Sequence, residues 1–221
     1  MKAIILAGGK GTRLKPVTDY LPKPLVPIKN IPIIEWQIKY LKKFNIQEII
    51  VCSGYKTEMI ENYLEKKKLG VKINFSIEKN PLGTGGAIRN AKKWITEKSF
   101  LVINGDVITN IDLKKVIKKS NSIASIELVT KFGVMSIENE KITKFLEKKP
   151  ISNTWMNAGI YHLEKSVLAK LPQKGDIEKT LFPQMAKEGK LTVAKFHNSK
   201  WFSIDSFKDL EECSESISKI I

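Results

Sequence analysis

The sequence predicts an α/β fold of three layers, with helices on both faces of a mixed, mainly parallel central sheet. Three observations predict it. Short apolar runs at Ala3 to Ala7, Glu48 to Cys52 and Phe100 to Asn104 read as buried strands. Helical patterns separate them, and this alternation of strand and helix through the first half argues parallel strands with crossovers on both faces. Beyond residue 106 the character changes, and strands follow one another with short links. The chain of 221 residues suits one domain, 1–221, burying roughly 70% of its unfolded surface.

Taken in order, Ala3 to Ala7 is a strand that releases into glycines. Ile33 to Phe44 reads as a helix introduced by Pro32, with Ile34, Ile38 and Leu41 on one stripe. Glu48 to Cys52 is the next strand, ending at Ser53-Gly54. Thr57 to Lys68 is a helix stopped by Gly70, with Met59, Ile60, Tyr63 and Leu64 inward. Val71 to Ile77 alternates as a strand, and Asn80 to Gly86 reads as a glycine loop before a helix from Ala87 to Ile95. Phe100 to Asn104 places Gly105-Asp106 at a strand's carboxyl end, where open α/β sheets carry their chemistry. Strands follow at Ser122 to Val129, Gly133 to Ile137, Ile142 to Leu146 and Met156 to His162. A helix from Lys165, another over Ile177 to Lys187, a strand at Leu191 to Phe196 and a helix from Ser206 complete the chain.

The hydrophobic fraction of 42% and charged fraction of 28% are those of a water-soluble globule, without the apolar run of about eighteen residues that a membrane span needs. Met1 to Ala7 is too short and too soon broken by glycine for a signal peptide, so a cytoplasmic location is expected, with no membrane partner. Cys52 and Cys213 lack metal-ligand spacing and read as buried thiols. The net charge of +15 invites a nucleic-acid reading, but the lysines are dispersed over polar helix faces and lack interleaved aromatics, which argues against that partner. Arginine stands only at Arg13 and Arg89, and one of the two falls inside the first glycine loop.

That loop, Leu6-Ala7-Gly8-Gly9-Lys10-Gly11-Thr12-Arg13-Leu14, carries the functional argument. Glycines after a strand permit positive φ and close backbone approach, and successive free N–H groups form a nest for an anion, to which Lys10 and Arg13 add charge. Two commoner motifs are excluded. A dinucleotide fingerprint needs a third glycine where Leu14 stands and an acidic residue near Val51-Cys52-Ser53-Gly54; a Walker loop needs Lys directly after the last glycine.

Leu6 to Arg13, followed by Pro16, Thr18, Pro22-Lys23-Pro24-Leu25 and Pro27, resembles the signature of the sugar-1-phosphate nucleotidylyltransferases. The resemblance implies a Rossmann-like fold and transfer of a nucleotidyl group from a nucleoside triphosphate to a sugar 1-phosphate, with release of pyrophosphate and with Mg²⁺ as cofactor. It assigns the triphosphate to Leu6, Ala7, Gly8, Gly9, Gly11, Thr12 and Arg13, and charge neutralisation at the reacting phosphates to Lys23, which its flanking prolines hold rigidly. Asp106 in Asn104-Gly105-Asp106 matches the magnesium-binding aspartate. Leu82 to Ala87, with Gly83 and Thr84, looks like the segment that meets base and ribose. Phe145-Leu146-Glu147-Lys148 resembles the sugar-phosphate motif Phe-x-Glu-Lys-Pro, but Lys149 is inserted before Pro150, so Lys148 and Lys149 compete for the phosphate contact. Asn157-Ala158-Gly159-Ile160-Tyr161 resembles the sugar-binding strand, with Asn157 and Gly159 at the sugar.

One departure stands out. Many relatives carry Trp-x-Asp late in the chain as second metal ligand, and here Ser203 takes that place in Trp201-Phe202-Ser203-Ile204-Asp205. Strand alternation puts Trp201, Ser203 and Asp205 on one face, so Asp205 is expected as the second ligand. His162 and His197 read as structural. Leu82 to Ile88 and Gly54-Tyr55-Lys56 look most like the heptose- and mannose-1-phosphate guanylyltransferases, which points to GTP. Cytidylyl, uridylyl or thymidylyl transfer to another sugar phosphate is the alternative, and an inactive nucleotide-sugar-binding subunit is the rival from another class. No hexapeptide repeat follows residue 206, so no appended β-helix domain is expected.

Overall fold

The computed structural model describes residues 1–130, 132–147 and 149–220, with the side chains at 152 and 219 excepted. The chain opens with strand β1 (Lys2–Ala7), a 3-10 turn at Thr12–Leu14, α1 (Val17–Tyr20), a second turn at Lys23–Leu25, and the short pair β2 (Pro27–Ile28) and β3 (Ile31–Pro32). Then come α2 (Ile33–Lys43), β4 (Glu48–Ser53), α3 (Thr57–Lys67), β5 (Lys72–Ile77), α4 (Gly83–Asn90), β6 (Ser99–Asn104), β7 (Val107–Thr109) and α5 (Leu113–Ile117). The second half holds β8 (Ser122–Val129), β9 (Val134–Glu138), β10 (Lys141–Leu146), β11 (Pro150–Glu164), α6 (Leu181–Lys187), β12 (Thr192–Phe196), β13 (Trp201–Ser203) and α7 (Phe207–Ser216).

Seven strands form the central sheet in the order β12-β8-β11-β6-β1-β4-β5. All neighbours pair in parallel except β11, which runs antiparallel to both β6 and β8. The sheet is thus mixed and mainly parallel, as expected. Alternation along β1 shows why it must be covered on both faces: Ala3, Ile5 and Ala7 enter one core with α2, α3 and α5, while Ile4 enters a second with α4 and α6. A third cluster seats α7 against Leu14, Val26, Ile108 and Ile204. Among the described residues no helix is long and apolar enough to cross a membrane.

The chain crosses from one side of the sheet to the other between β1 and β6. Both neighbours of β1 in the sheet come later in sequence, so their outgoing loops diverge and leave a crevice at the strand ends. Gly105 seals its floor. Its N–H donates to the Leu6 carbonyl at 3.0 Å, and a Cβ there would lie 2.2 Å from the same oxygen.

Several local expectations are corrected. Met59 is 36% exposed, because the buried face of α3 is formed by Thr57, Ile60 and Leu64. Lys68, left-handed with φ 45°, ends that helix before Gly70 is reached. Gly83 to Gly86 are the first turn of α4 and not a loop. A Cβ on Gly83 or Gly86 would stand 2.7 or 2.8 Å from backbone atoms of residues 173–175, so these glycines admit a protein segment that crosses the helix. Lys165–Ala169 is a 3-10 turn, and the helix expected from Ile177 begins at Leu181. The buried-thiol reading of Cys52 and Cys213 holds.

Candidate active site

Four charged side chains, drawn from three separated segments, meet at the carboxyl end of β1 and β6. Lys23 Nζ lies 2.8 Å from Asp106 Oδ2 and 2.9 Å from Asp205 Oδ1. Arg13 Nη2 reaches the same Asp205 oxygen at 2.8 Å. The sequence motifs around residues 13, 23, 106 and 205 therefore describe one place.

Each residue is held by its local chain. Gly11, at φ 63°, takes a conformation that only glycine adopts without strain, and a Cβ there would press to 3.0 Å from Lys23 Cβ. The loop thus rests directly on the lysine stem. Lys23 opens a 3-10 turn closed by Leu25 N–H to the Pro22 carbonyl at 2.8 Å, and its side chain is only 14% exposed. Among the described residues the N–H groups of Gly9, Lys10 and Gly11 make no hydrogen bond, and Gly9 and Gly11 line a cavity of about 240 Å³ together with Leu6, Ala7, Thr12, Arg13, Lys23, Asp106 and Asp205. Unpaired backbone donors beside fixed cations make an anion site.

Asp205 arrives by a route other than strand alternation. Strand β13 ends at Ser203, paired with Val107 of β7, and the Ile204 N–H then donates to the Asp106 carbonyl at 2.9 Å. This ribbon ties the two aspartate-bearing segments together. Beyond it, Asp209 Oδ2 accepts from the N–H groups of Asp205 and Ser206 at 3.1 and 2.8 Å, as part of the capping box that starts α7. Ser203 Oγ donates to Asp205 Oδ2 at 3.1 Å, so the serine supports the carboxylate that stands in its place. Burial pushes the Asp205 carboxyl upward, but the Lys23 hydrogen bond and the charges of Lys23 and Arg13 outweigh it, and the group lies below its ordinary value.

A neighbouring cavity of about 480 Å³ opens from Asp106 toward α4, lined by Gly8, Gly9, Lys10, Glu78, Leu82, Gly83, Thr84, Asn104 and Asp176, among others. Lys10 faces this side. Glu78, which the motif reading passed over, lies in its wall: Oε2 accepts from Leu82 N–H at 3.0 Å, and Oε1 would stand 2.7 Å from a Cβ on Gly8. Burial raises its carboxyl above the ordinary value, with the Leu82 amide pulling the other way. A carboxylate at the carboxyl end of a strand is the signal that marked Asp106, and β5 offers it again at Glu78.

The expected sugar-side residues are less concentrated. Asn157 and Gly159 lie in the irregular part of β11. Asn157 Nδ2 donates to the Tyr161 hydroxyl at 2.9 Å, and its Oδ1 accepts from Gly159 N–H at 2.8 Å. Glu147 is exposed at the end of β10, and Lys148 lies outside the described residues. His162 is buried, with Nδ1 at 2.7 Å from the Lys119 carbonyl. His197 instead stands on a third cavity that also touches Arg13 and Asp205, with Nδ1 3.1 Å from Glu127 Oε1.

Comparison with known proteins finds relatives over most of the chain. A guanylyltransferase for D-glycero-alpha-D-manno-heptose 1-phosphate from Aneurinibacillus thermoaerophilus is 39% identical over 175 residues, 76% of each chain. The mannose-1-phosphate guanylyltransferase catalytic subunit beta of Xenopus tropicalis is 37% identical over 226 residues, covering 95% of this chain, which spans 62% of that protein's length. The crystal structures of HddC from Yersinia pseudotuberculosis, without and with GMP-PN, align over 98% of this chain and 99% of theirs at 32% identity, with TM-scores of 0.78 and 0.76. Residues 2–220 match the family described as nucleotidyl transferase, and the chain belongs to that family.

Proposed function

We propose that the chain transfers a guanylyl group from GTP to mannose- or heptose-1-phosphate, giving the GDP-sugar and pyrophosphate. The observation that carries this reading is the meeting of Arg13, Lys23, Asp106 and Asp205 beneath unpaired loop N–H groups. Transfer brings two polyanions together and spreads negative charge in the transition state, so the protein's work is placement and electrostatics. A phosphate oxygen of the sugar 1-phosphate attacks the α-phosphorus. The bond from that phosphorus to the bridging oxygen breaks, and its electron pair leaves with pyrophosphate. The nucleophile is already ionised, so no general base is needed.

Gly8, Gly9, Gly11 and Thr12 offer backbone donors to the triphosphate, and Arg13 adds a planar fork suited to two phosphate oxygens. Lys23 neutralises charge where the phosphates react. Glu147, Asn157, Gly159 and Lys148 take the sugar phosphate. Asp106 and Asp205 suit a hard divalent cation, Mg²⁺, because the two carboxylates lie 2.8 and 2.9 Å from the same Lys23 ammonium, near enough to share one ion, and would leave the rest of its shell to phosphate and water. A cation held there would supply polarisation of the α-phosphoryl group and positive charge against its developing negative charge. Among the described residues no third Asp, Glu, His or Cys joins them.

Glu78 supports guanine over the other bases. Its partly buried carboxylate has no ion pair among the described residues, and guanine presents adjacent donors, N1–H and the 2-amino group, to such an acceptor. The named relatives support the same nucleotide and sugars. Two buried, unpaired cysteines fit a reducing cytoplasm. Pyrophosphate release across a grid of four triphosphates and several sugar 1-phosphates tests the reading. GTP with mannose- or heptose-1-phosphate should be fastest, whereas a preference for UTP or dTTP with glucose-1-phosphate would overturn the substrate assignment.

A further inference from the structure

Glu178 lies outside every motif, yet it joins residues from both halves of the site. Its Oε1 accepts from the Tyr161 hydroxyl at 2.8 Å, and its Oε2 accepts from Thr84 Oγ1. Each hydroxyl is also used as an acceptor: Tyr161 from Asn157 Nδ2 at 2.9 Å, and Thr84 from the Ile177 N–H at 3.0 Å. A hydroxyl carries one hydrogen, so both are spent on Glu178 and the direction of every bond is set. The Asn157 amide cannot turn, since its Oδ1 takes the Gly159 N–H. Its second amide hydrogen has no partner among the described residues, and Asn157 itself is exposed.

Tyr161 is fully buried, with its ring edge-on to Phe182. It carries the constraint from the loop before α6 to β11, and Thr84 carries it to the first turn of α4, on the wall of the cavity beside Asp106. Only a carboxylate accepts two O–H donors in this way; an amide has one oxygen, so Glu178→Gln would orphan one hydroxyl or force it to turn.

We propose that Glu178 is a positioning residue which, through Thr84 and Tyr161, locks the nucleoside-side turn of α4 and the sugar-side strand β11 into one arrangement. The inference rests on the substrate reading above. It gives Glu178 no contact with the reacting atoms, so its loss falls on binding of both substrates more than on turnover.

The test combines calorimetric binding of GTP with steady-state kinetics on Glu178→Gln, Tyr161→Phe and the double variant. Because hydrogen bonds to charged groups are the strong ones, Glu178→Gln should raise the Kd for GTP and the KM for the sugar phosphate by roughly tenfold each, with kcat within about threefold of wild type. Tyr161→Phe keeps the ring stack and should raise only the sugar-phosphate KM. The double variant should match Glu178→Gln alone, since both act through one network. A Glu178→Gln protein with both constants within about twofold of wild type overturns the inference, as does a double variant in which the two effects multiply. If Glu178→Gln does not fold, Thr84→Val and Tyr161→Phe must each perturb one substrate only, and two silent variants overturn it equally. Wild-type protein that binds GTP but transfers to no sugar phosphate sinks the substrate reading, while the calorimetric arm still decides the role of Glu178. Wild-type protein that binds no GTP overturns both.

Discussion

Lys23 and Asp205, 182 positions apart in sequence, are joined by a contact of 2.9 Å, and the same ammonium lies 2.8 Å from Asp106. The lysine thus stands between the two carboxylates proposed to bind the metal. It balances them in the folded chain and is placed to meet the phosphates that arrive with the cation. Both carboxylates are about one quarter exposed, open enough for exchange of partners and dry enough for each charge to matter.

The first prediction concerns Asp106. Loss of an electrostatic contact made in the transition state typically lowers turnover by roughly 10²-fold to 10³-fold. Asp106→Ala should show that loss of pyrophosphate release while melting near the wild-type temperature, because the side chain packs no core. Release at the wild-type rate would remove Asp106 from the metal site.

Asp205 and Asp106 should behave as one unit. Once Asp106 is gone, Asp205→Ala should cost much less than it does in the intact protein. Ser203→Asp crowds a third carboxylate beside Asp205 and should not raise activity. A gain in turnover from Ser203→Asp, with Asp205→Ala silent, would show that Asp205 is no ligand.

Arg13 and Lys10 share a loop but face different cavities. Arg13→Lys loses the guanidinium fork, whereas Lys10→Arg keeps a charge that needs no particular shape. Titration of GTP against both variants should show the larger loss for Arg13→Lys. Equal and small losses would mean that the loop supplies only diffuse charge.

Much of this was legible in the sequence, for physical reasons. Strands buried on both faces have few ways to be written, so β1, β4 and β6 stand out as apolar runs, and the loops that follow them carry glycine, arginine and aspartate in recognisable order. The contents of α4 were not legible, because a run of glycines reads as loop whenever the segment that crosses it, residues 172–175, is invisible. Strand alternation does not describe how Asp205 reaches the cluster: strand β13 stops at Ser203, and the α7 capping box completes the approach. Glu78 was passed over although it follows β5 as Asp106 follows β6, because no motif surrounds it, and Glu178 lies alone in sequence and meets Thr84 and Tyr161 only in the fold.

Glu78 should exchange stability for selectivity. Its carboxyl is raised in the folded chain, so the folded state binds more protons than the unfolded state as pH rises past the ordinary glutamate value, and stability falls across that window. Glu78→Gln removes this loss. It should melt higher than wild type at pH 7, with the difference vanishing below about pH 4, near the unperturbed glutamate value. The same variant should lose its preference for GTP over other triphosphates. Unchanged melting at pH 7 together with unchanged base preference would place Glu78 outside the nucleoside cavity's function.

The most direct measurement is a phosphorus NMR time course of wild-type protein with GTP, mannose-1-phosphate and Mg²⁺, run beside Asp106→Ala. Placement of two polyanions by Arg13, Lys23, Asp106 and Asp205 predicts that GTP and the sugar phosphate disappear together, that GDP-sugar and pyrophosphate appear in equal amounts, and that the variant is slower by roughly 10²-fold or more. Free phosphate from GTP without any GDP-sugar, or equal rates for the two proteins, would contradict it.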